Sequence, residues 1–205
     1  VAAQVNGMGA LATRLPIVPD NVDAITEAVK DAASVHDLVL LNAGSSAGSE
    51  DFSASVIANL GTLLVHGVAV RPGHPVIMGI LREHVAGASS GRTIIGVPGY
   101  PDSAALTIEI FVEPLISTWL GRPPITPQKA RAFLTRKLAS PAGDEDLIRV
   151  ALGRVGGKLL AAPLAAGAGV ITSLARADGI VEVPPGIQGI EAGDTVDVRL
   201  YRAPA

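Results

Sequence analysis

Residues 37–51 read DLVLLNAGSSAGSED, and this stretch predicts a strand, a turn and the start of a helix, in that order. Leu38–Leu41 is a short apolar run, typical of a strand that is buried on both faces in a parallel sheet. Gly44 and Gly48 allow a tight turn and leave room for a ligand to approach the backbone. The sequence therefore favours an anion site, because turn N–H groups and the positive end of a helix attract phosphate or an oxyanion.

The same turn carries hydroxyl groups and one carboxylate that could take part in binding. Ser45 and Ser46 lie beside the backbone N–H groups, and Asp51 stands where the helix is expected to begin. A carboxylate beside a bound phosphate is favourable only when a cation such as magnesium lies between them. Asp at a helix start is more often only an N-cap, so the residue types leave both interpretations open. The turn is neither a Walker loop nor a GxGxxG fingerprint.

Composition excludes several classes of protein. The chain has 205 residues, of which 48% are hydrophobic, enough for one or two domains with a sizeable core. A net charge of -3 and 3% aromatic residues disfavour nucleic acid as a partner. The absence of cysteine excludes disulfides, zinc-thiolate sites and a cysteine nucleophile. No apolar run approaches the roughly 18 residues of a membrane span, so we expect no membrane partner and, by default, a cytoplasmic location.

The first part of the chain alternates between strand and helix patterns. A short strand is predicted at Arg14–Val18, followed by a helix that Asp20 caps and that reaches about Ala33. Ser103 opens a long apolar helix to Leu120, which Pro114 is expected to kink. Further strands are predicted at 62–70, 76–81 and 93–97. This alternation predicts a three-layer α/β domain with a mostly parallel sheet.

A change in the sequence pattern, from alternating strands and helices to short strands, predicts a second domain. Residues 122–127, RPPITP, hold three prolines and favour an extended linker. Beyond them, short strand patterns alternate with turns at 141–143 and at 156–157, and a helical turn is predicted at 173–177. We therefore predict an α/β domain at 1–121, the linker at 122–127 and a small β-rich domain at 128–205.

Three glycine turns and one later segment occur together in a recognisable order. They are AGSSAGSED at 43–51, RPGHP at 71–75, VPGYPDS at 97–103 and GAGVITSLARADG at 167–179, the last followed by Pro184. The turns at 72–75 and 98–101 are called the first and second PGxP turns below. In this order the motifs resemble the molybdopterin molybdenumtransferase family, which includes the gephyrin E domain. The resemblance covers nearly the whole chain and implies that family's fold.

The resemblance implies an activity and a set of site residues. Family members take adenylylated molybdopterin and molybdate as substrates and insert the metal with Mg²⁺-dependent release of AMP. Carried over by motif, Asp51 would be the catalytic residue and the magnesium ligand. Cofactor binding would fall to residues of the first loop and the two PGxP turns, namely Gly44, Ser45, Ser46, Gly48, Arg71, Gly73, His74, Pro98, Gly99, Tyr100 and Ser103.

Three positions depart from the family's pattern. Ala43 replaces a glycine, Tyr100 stands where the family has an asparagine, and His74 replaces a lysine. An ordinary imidazole is largely neutral at neutral pH, so the first turn lacks a full charge that Arg71 could supply instead. These changes leave open a non-catalytic binding or sensor module as an alternative to the enzyme. A molybdopterin adenylyltransferase is a third possibility, which the second domain disfavours.

The resemblance also implies partners. The family's α/β domain opens with a strand and a TGDEL-like loop that this sequence lacks before Val1, so we interpret the chain as a fragment that lacks preceding domains. The missing strand would leave a sheet position where another chain could pair. The family usually dimerises, so a homodimer is expected.

Overall fold

The chain forms two compact units. The computed structural model describes residues 1–42, 52–82, 91–123, 126–164 and 171–201. The α/β unit comprises Val1–Val68 and Gly73–Arg122, and the β unit comprises Ala69–Pro72 and Pro123–Ala205. Within the described ranges, no helix has the length and apolar character needed to cross a membrane.

The α/β unit contains a sheet with helices on both faces. Its helices α1 to α5 span Ala2–Gly7, Val22–Val35, Phe52–Leu60, Pro101–Thr107 and Glu113–Trp119, and the π-helical segment Ile108–Val112 joins α4 to α5. Its strands β1, β2, β4 and β5 span Leu38–Asn42, Gly61–His66, Ile77–Leu81 and Arg92–Val97. Ile94 packs with residues of α2 and α3, whereas its neighbour Ile95 packs with residues of α1, α4 and α5. Successive residues of a strand point to opposite faces, so β5 is covered on both sides.

The prediction of a mostly parallel sheet is wrong. The strand order is β1-β5-β4-β2, and among the described strands of this sheet only β1 and β5 pair in parallel. β4 pairs antiparallel with both β5 and β2. The connections at 67–76 and 82–91 are too short for the crossover of about a dozen or more residues that parallel neighbours require. Short connections therefore produce a mixed sheet.

Two further strand predictions need correction. Arg14–Val18 has no regular secondary structure, and Ile17 is fully exposed. No described strand lies beside this segment, and a strand needs a neighbour to pair its N–H and C=O groups. β1 was expected to be buried on both faces; its apolar residues do pack on both faces, but only Val39 is buried, while Leu38, Leu40 and Leu41 are partly buried. Among the described strands β1 has a neighbour on one side only, so it lies at the sheet edge.

The apolar face predicted for the first long helix is confirmed. Ile25, Val29 and Ala32 of α2 are buried together. The cap is one residue later than expected, because the Asn21 side chain accepts a hydrogen bond from the Ala24 N–H at 2.8 Å. Asn and Asp cap equally well, so sequence alone does not choose between Asp20 and Asn21.

The long helix starts two residues earlier than predicted and is irregular before Pro114. It begins at Pro101, and the Glu113 N–H donates to the carbonyl of Ile108, five residues earlier. Proline lacks an N–H and crowds the carbonyl four residues before it. The wider π-helical turn directly precedes this position, and such turns often occur at functional sites.

The β unit is a closed barrel. Its strands β3 and β6 to β12 span Val70–Arg71, Lys129–Leu134, Leu138–Ala139, Glu145–Val155, Lys158–Pro163, Gly179–Val183, Gly189–Ile190 and Thr195–Leu200, and its helix α6 spans Ile171–Arg176. Pairing runs from β8 through β9, β6, β12 and β10 back to β8, which leaves these five strands without a free edge on the ring. β7 and β11 pair separately, and β3 pairs with the start of β8. The predicted β-rich character of this part is confirmed.

Candidate functional site

Several chain segments meet at one end of the strands of the α/β sheet. β1 and β5 run in parallel, and their last residues, Asn42 and Val97, are paired. β4 runs in the opposite direction, and its first residue, Ile77, pairs with Gly96 near the end of β5. His66, the last residue of β2, also pairs with Ile77. The loop after β1, the turn before β4 and the turn after β5 therefore lie at the same end of the strands. We call this end of the sheet the loop edge.

The predicted phosphate and magnesium loop begins at the loop edge. Its residues Ala43, Gly44, Ser45, Ser46, Gly48 and Asp51 lie outside the described residues. Asn42 precedes the loop and is exposed, and Phe52 begins α3 after it. The sheet register thus fixes where the loop leaves the strand, beside the end of β5. The roles assigned to these residues stay predictions.

The first PGxP turn lies within the connection between β2 and β4, and backbone hydrogen bonds hold it there. The His74 carbonyl accepts a hydrogen bond from the Val68 N–H at 2.9 Å, and the Gly73 carbonyl accepts one from the Val76 N–H at 3.2 Å. Gly73 has a φ of +129°, a conformation that side-chain-bearing residues rarely adopt. His74 is exposed, so its imidazole can meet a ligand from solvent.

Arg71, just before this turn, has a partner in the β unit. Its Nε donates to Oδ2 of Asp144 at 2.6 Å, and about half of its side chain is exposed. The charge that was expected to replace a lysine is therefore already close to a carboxylate. Any role of Arg71 in anion binding has to compete with this ion pair, and it stays a prediction.

The second PGxP turn leads directly into α4. Pro98 is buried, whereas Gly99 and Tyr100 are exposed, Tyr100 to 64%. The Tyr100 carbonyl accepts a hydrogen bond from the Ala104 N–H at 2.8 Å, and Pro101 takes the first helical position, where its missing N–H costs nothing. The Tyr100 side chain, and not that of the buried Ser103, is presented to solvent at this turn.

Two buried polar residues of α4 were missed by the sequence analysis. Asp102 is 9% exposed in the first turn of the helix, and Thr107 is 1% exposed at its end. The Thr107 Oγ1 lies 3.7 Å from the position that a Cβ on Gly73 would occupy. The first PGxP turn therefore lies against the helix that follows the second. Polar residues in an otherwise apolar helix were the available signal.

The described ranges contain no group of three or more His, Asp or Glu side chains placed to hold a metal ion. His66 lies at the loop edge and His36 at the end of α2, and neither belongs to such a group. Asp51, the expected magnesium ligand, is outside these ranges.

Comparison with known families gives two matches in chain order. Residues 1–118 match the family described as "Probable molybdopterin binding domain", and residues 131–201 match "MoeA C-terminal region (domain IV)". The first match alone covers more than half of the chain.

Individual relatives agree with these matches. The molybdopterin molybdenumtransferase of Bacillus subtilis is 32% identical over 98% of this chain and 46% of its own length. That of Staphylococcus epidermidis is 27% identical over 88% of this chain and 42% of its own length. A solved molybdopterin biosynthesis MoeA protein from Pyrococcus horikoshii has a TM-score of 0.77 and 29% identity, covering 98% of this chain and 46% of that one. The chain thus spans less than half the length of these relatives.

Proposed function

The chain belongs to the molybdopterin molybdenumtransferase family, and we propose that it carries the molybdopterin-binding part of an enzyme that inserts molybdate into adenylylated molybdopterin with release of AMP. One observation carries this proposal: the loop after β1 and the two PGxP turns lie at the loop edge. Ligands of α/β sheets collect where strands end and loops begin.

The substrates are polyanions, and the loop edge offers what a polyanion needs. Both PGxP turns contain glycine: Gly99 of the second is exposed and precedes a helix, whereas Gly73 of the first is buried beside the exposed His74. The exposed imidazole of His74 and the phenol hydroxyl of Tyr100 can each donate a hydrogen bond to an oxyanion. In this proposal Ser45 and Ser46 contact the phosphate groups and the PGxP turns contact molybdate or the pterin side.

Magnesium fits the donor chemistry of the first loop. Mg²⁺ in nucleotide sites is held by one or two carboxylates together with substrate phosphates, so a complete protein cage is unnecessary. Asp51 would supply that carboxylate, close to the loop edge where α3 begins at Phe52. Bound there, Mg²⁺ would offset the charge of the pyrophosphate during its cleavage. Asp51 would hold the ion beside the phosphates and would not act as a base.

The active form is proposed to be larger than this chain. The relatives extend over more than twice its length. By analogy with the family, additional N-terminal domains and a second subunit complete the cleft, so the 205-residue chain is expected to bind its substrates and not to turn them over. A soluble cytoplasmic enzyme with the homodimeric form of its family is the corresponding proposal.

A non-catalytic binding or sensor module is the second candidate. It is favoured by one observation, the ion pair between Arg71 and Asp144, because His74 then has no unpaired arginine directly before it to replace the family's lysine. An adenylyltransferase is disfavoured by the attached β unit, which matches the MoeA C-terminal region.

The test is Asp51→Asn in the full-length protein. Asparagine keeps the capping ability of aspartate but loses the charge that recruits Mg²⁺. We expect Mg²⁺-dependent molybdate insertion to be abolished while folding is retained. Asp37→Asn is the matched control, because this exposed residue precedes β1 at the end opposite the loop edge. If Asp51→Asn inserted molybdate at the normal rate, Asp51 would be removed from the mechanism.

A further inference from the structure

Thr107 presents a hydroxyl group whose role the proposed function does not explain. Its side chain is 1% exposed, and its Oγ1 has no hydrogen-bond partner among the described residues. It stands at the junction of α4 with the π-helical segment, where the helical hydrogen-bond pattern changes. Threonine in a helix can donate to the carbonyl four residues earlier, and this bond is absent here within the described part.

An unpaired buried hydroxyl is unfavourable. Leaving a buried hydroxyl without a partner costs roughly 1–3 kcal/mol, whereas valine has nearly the same shape and no such cost. A threonine at this position is therefore expected only if the hydroxyl finds a partner in another state of the protein. The hydroxyl has no contact with solvent, so that partner has to come from a neighbouring segment.

The first PGxP turn is the segment that can supply the partner. The position of a Cβ on Gly73 is 3.7 Å from Thr107 Oγ1, and apart from Gly73 and its two chain neighbours no other described residue has an atom within 4 Å of it. A small shift of Gly73 toward α4 is therefore not blocked by described atoms. The Gly73 carbonyl holds one hydrogen bond, from Val76 at 3.2 Å, which is the long end of the normal range.

We propose that Thr107 is a positioning residue for the first PGxP turn, whose hydroxyl donates to the Gly73 carbonyl when an oxyanion occupies the turn. This inference rests on the proposed function. It links the two PGxP turns, because Thr107 belongs to α4, the helix that follows the second turn, and would bond to the first. In this proposal the oxyanion binds the shifted turn more tightly than the unshifted one, and the bond from Thr107 lowers the free-energy cost of the shift. Thr107 itself does not touch the ligand.

The experiment compares Thr107→Val with Thr107→Ser in the 205-residue chain. Affinity for sodium molybdate and, separately, for AMP is measured by calorimetry, and thermal unfolding is followed without ligand. Ser140→Ala is the matched control, because Ser140 is 4% exposed, its Oγ also has no partner in the described ranges, and it lies in the β unit. Without ligand, Thr107→Val is expected to keep or raise the Tm.

The expected binding result is specific to the hydroxyl. Thr107→Val should lose about three- to tenfold in affinity for at least one of the two ligands, the loss of roughly one hydrogen bond. Thr107→Ser and Ser140→Ala should stay within about twofold. Equal binding by wild type and Thr107→Val would overturn the inference and leave the proposed function intact. A lower Tm for Thr107→Val would show that the hydroxyl is already hydrogen-bonded in the free state, and this too would overturn the inference. If the wild-type chain bound neither ligand, the proposed function would be rejected and the inference with it.

Discussion

His74 is the residue at which a single substitution changes the charge of the proposed site. A neutral imidazole provides less attraction for an oxyanion than the family's lysine, and a charge-assisted hydrogen bond contributes on the order of 1–3 kcal/mol. We therefore expect molybdate or AMP to bind weakly to the wild-type chain. His74→Lys should bind about tenfold more tightly, measured by calorimetry.

Two controls separate a local effect from a general change in charge. His36→Lys adds the same charge at the end of α2, before β1 and away from the loop edge, and is expected to leave the affinity unchanged. Arg71→Ala is expected to have a small effect, because Arg71 already pairs with Asp144. No gain in affinity from His74→Lys would place the anion pocket outside the first turn.

At this scale the sequence predicted where polar residues occur but not what each one touches. The motif matches marked Arg71 and Ser103 as candidate ligands. The structure pairs Arg71 with Asp144 and buries Ser103 in α4. The partner of Arg71 is 73 residues away in the chain, so no local pattern could indicate it. Thr107 was missed for the same reason, because its neighbour Gly73 lies far away in sequence, in the first PGxP turn.

Among the elements, the junction of α3 with β2 depends on one glycine. The helix ends at Leu60 and the strand begins at Gly61. A Cβ on Gly61 would stand 2.0 Å from the Ile80 carbonyl oxygen, which is backbone of β4 and cannot turn aside. Gly61→Ala is therefore expected to lower the free energy of unfolding by about 1–3 kcal/mol, as overpacking does, and this can be measured by urea denaturation.

Gly7→Ala is the matched control for this prediction. The position of a Cβ on Gly7, in helix α1, has no described atom within 4 Å. Alanine also favours helix, so this variant should be as stable as wild type or slightly more stable. Equal stability of Gly61→Ala and Gly7→Ala would mean that the β2–β4 pair shifts to make room at low cost.

The sequence predicted elements better than it predicted their pairing. Periodicity identified α2 by Ile25 and Val29, which are buried as expected. Strand direction was wrong for β4, because apolar runs look alike in parallel and antiparallel sheets and only the connection lengths distinguish them. Arg14–Val18 has the composition of a strand but no described neighbour, so its composition could not decide its conformation.

The boundary between the α/β unit and the β unit lies at the proline-rich segment, but one short earlier segment also belongs to the β unit. The α/β unit ends at Arg122, and the β unit resumes at Pro123. Ala69–Pro72 also belongs to the β unit, although it lies between two parts of the α/β unit in sequence. No sequence pattern marked this segment, because two residues of β3 are too few to show a periodicity.

Limited proteolysis tests both the boundary and the place of this earlier segment. Residues 126–128 have no secondary structure and are exposed, whereas Lys129 already begins β6. A protease of broad specificity is therefore expected to cut first within residues 122–128 and leave two resistant pieces. The piece 1–122 carries Ala69–Pro72, whose Ala69 carbonyl accepts a hydrogen bond from the Glu145 N–H at 2.8 Å. We expect the two pieces to elute together on size exclusion and to separate only in denaturant.

Two variants identify what holds the cut pieces together. Asp144→Ala removes the ion pair with Arg71, which is partly exposed and contributes at most about 1 kcal/mol, so its pieces should still elute together. Glu145→Pro removes the N–H that donates to the Ala69 carbonyl and should release them, because the pairing of β3 with β8 is then broken. Separate elution of the wild-type pieces would mean that β3 is not held by the barrel. A first cut inside either unit, with residues 122–128 protected, would contradict the boundary itself.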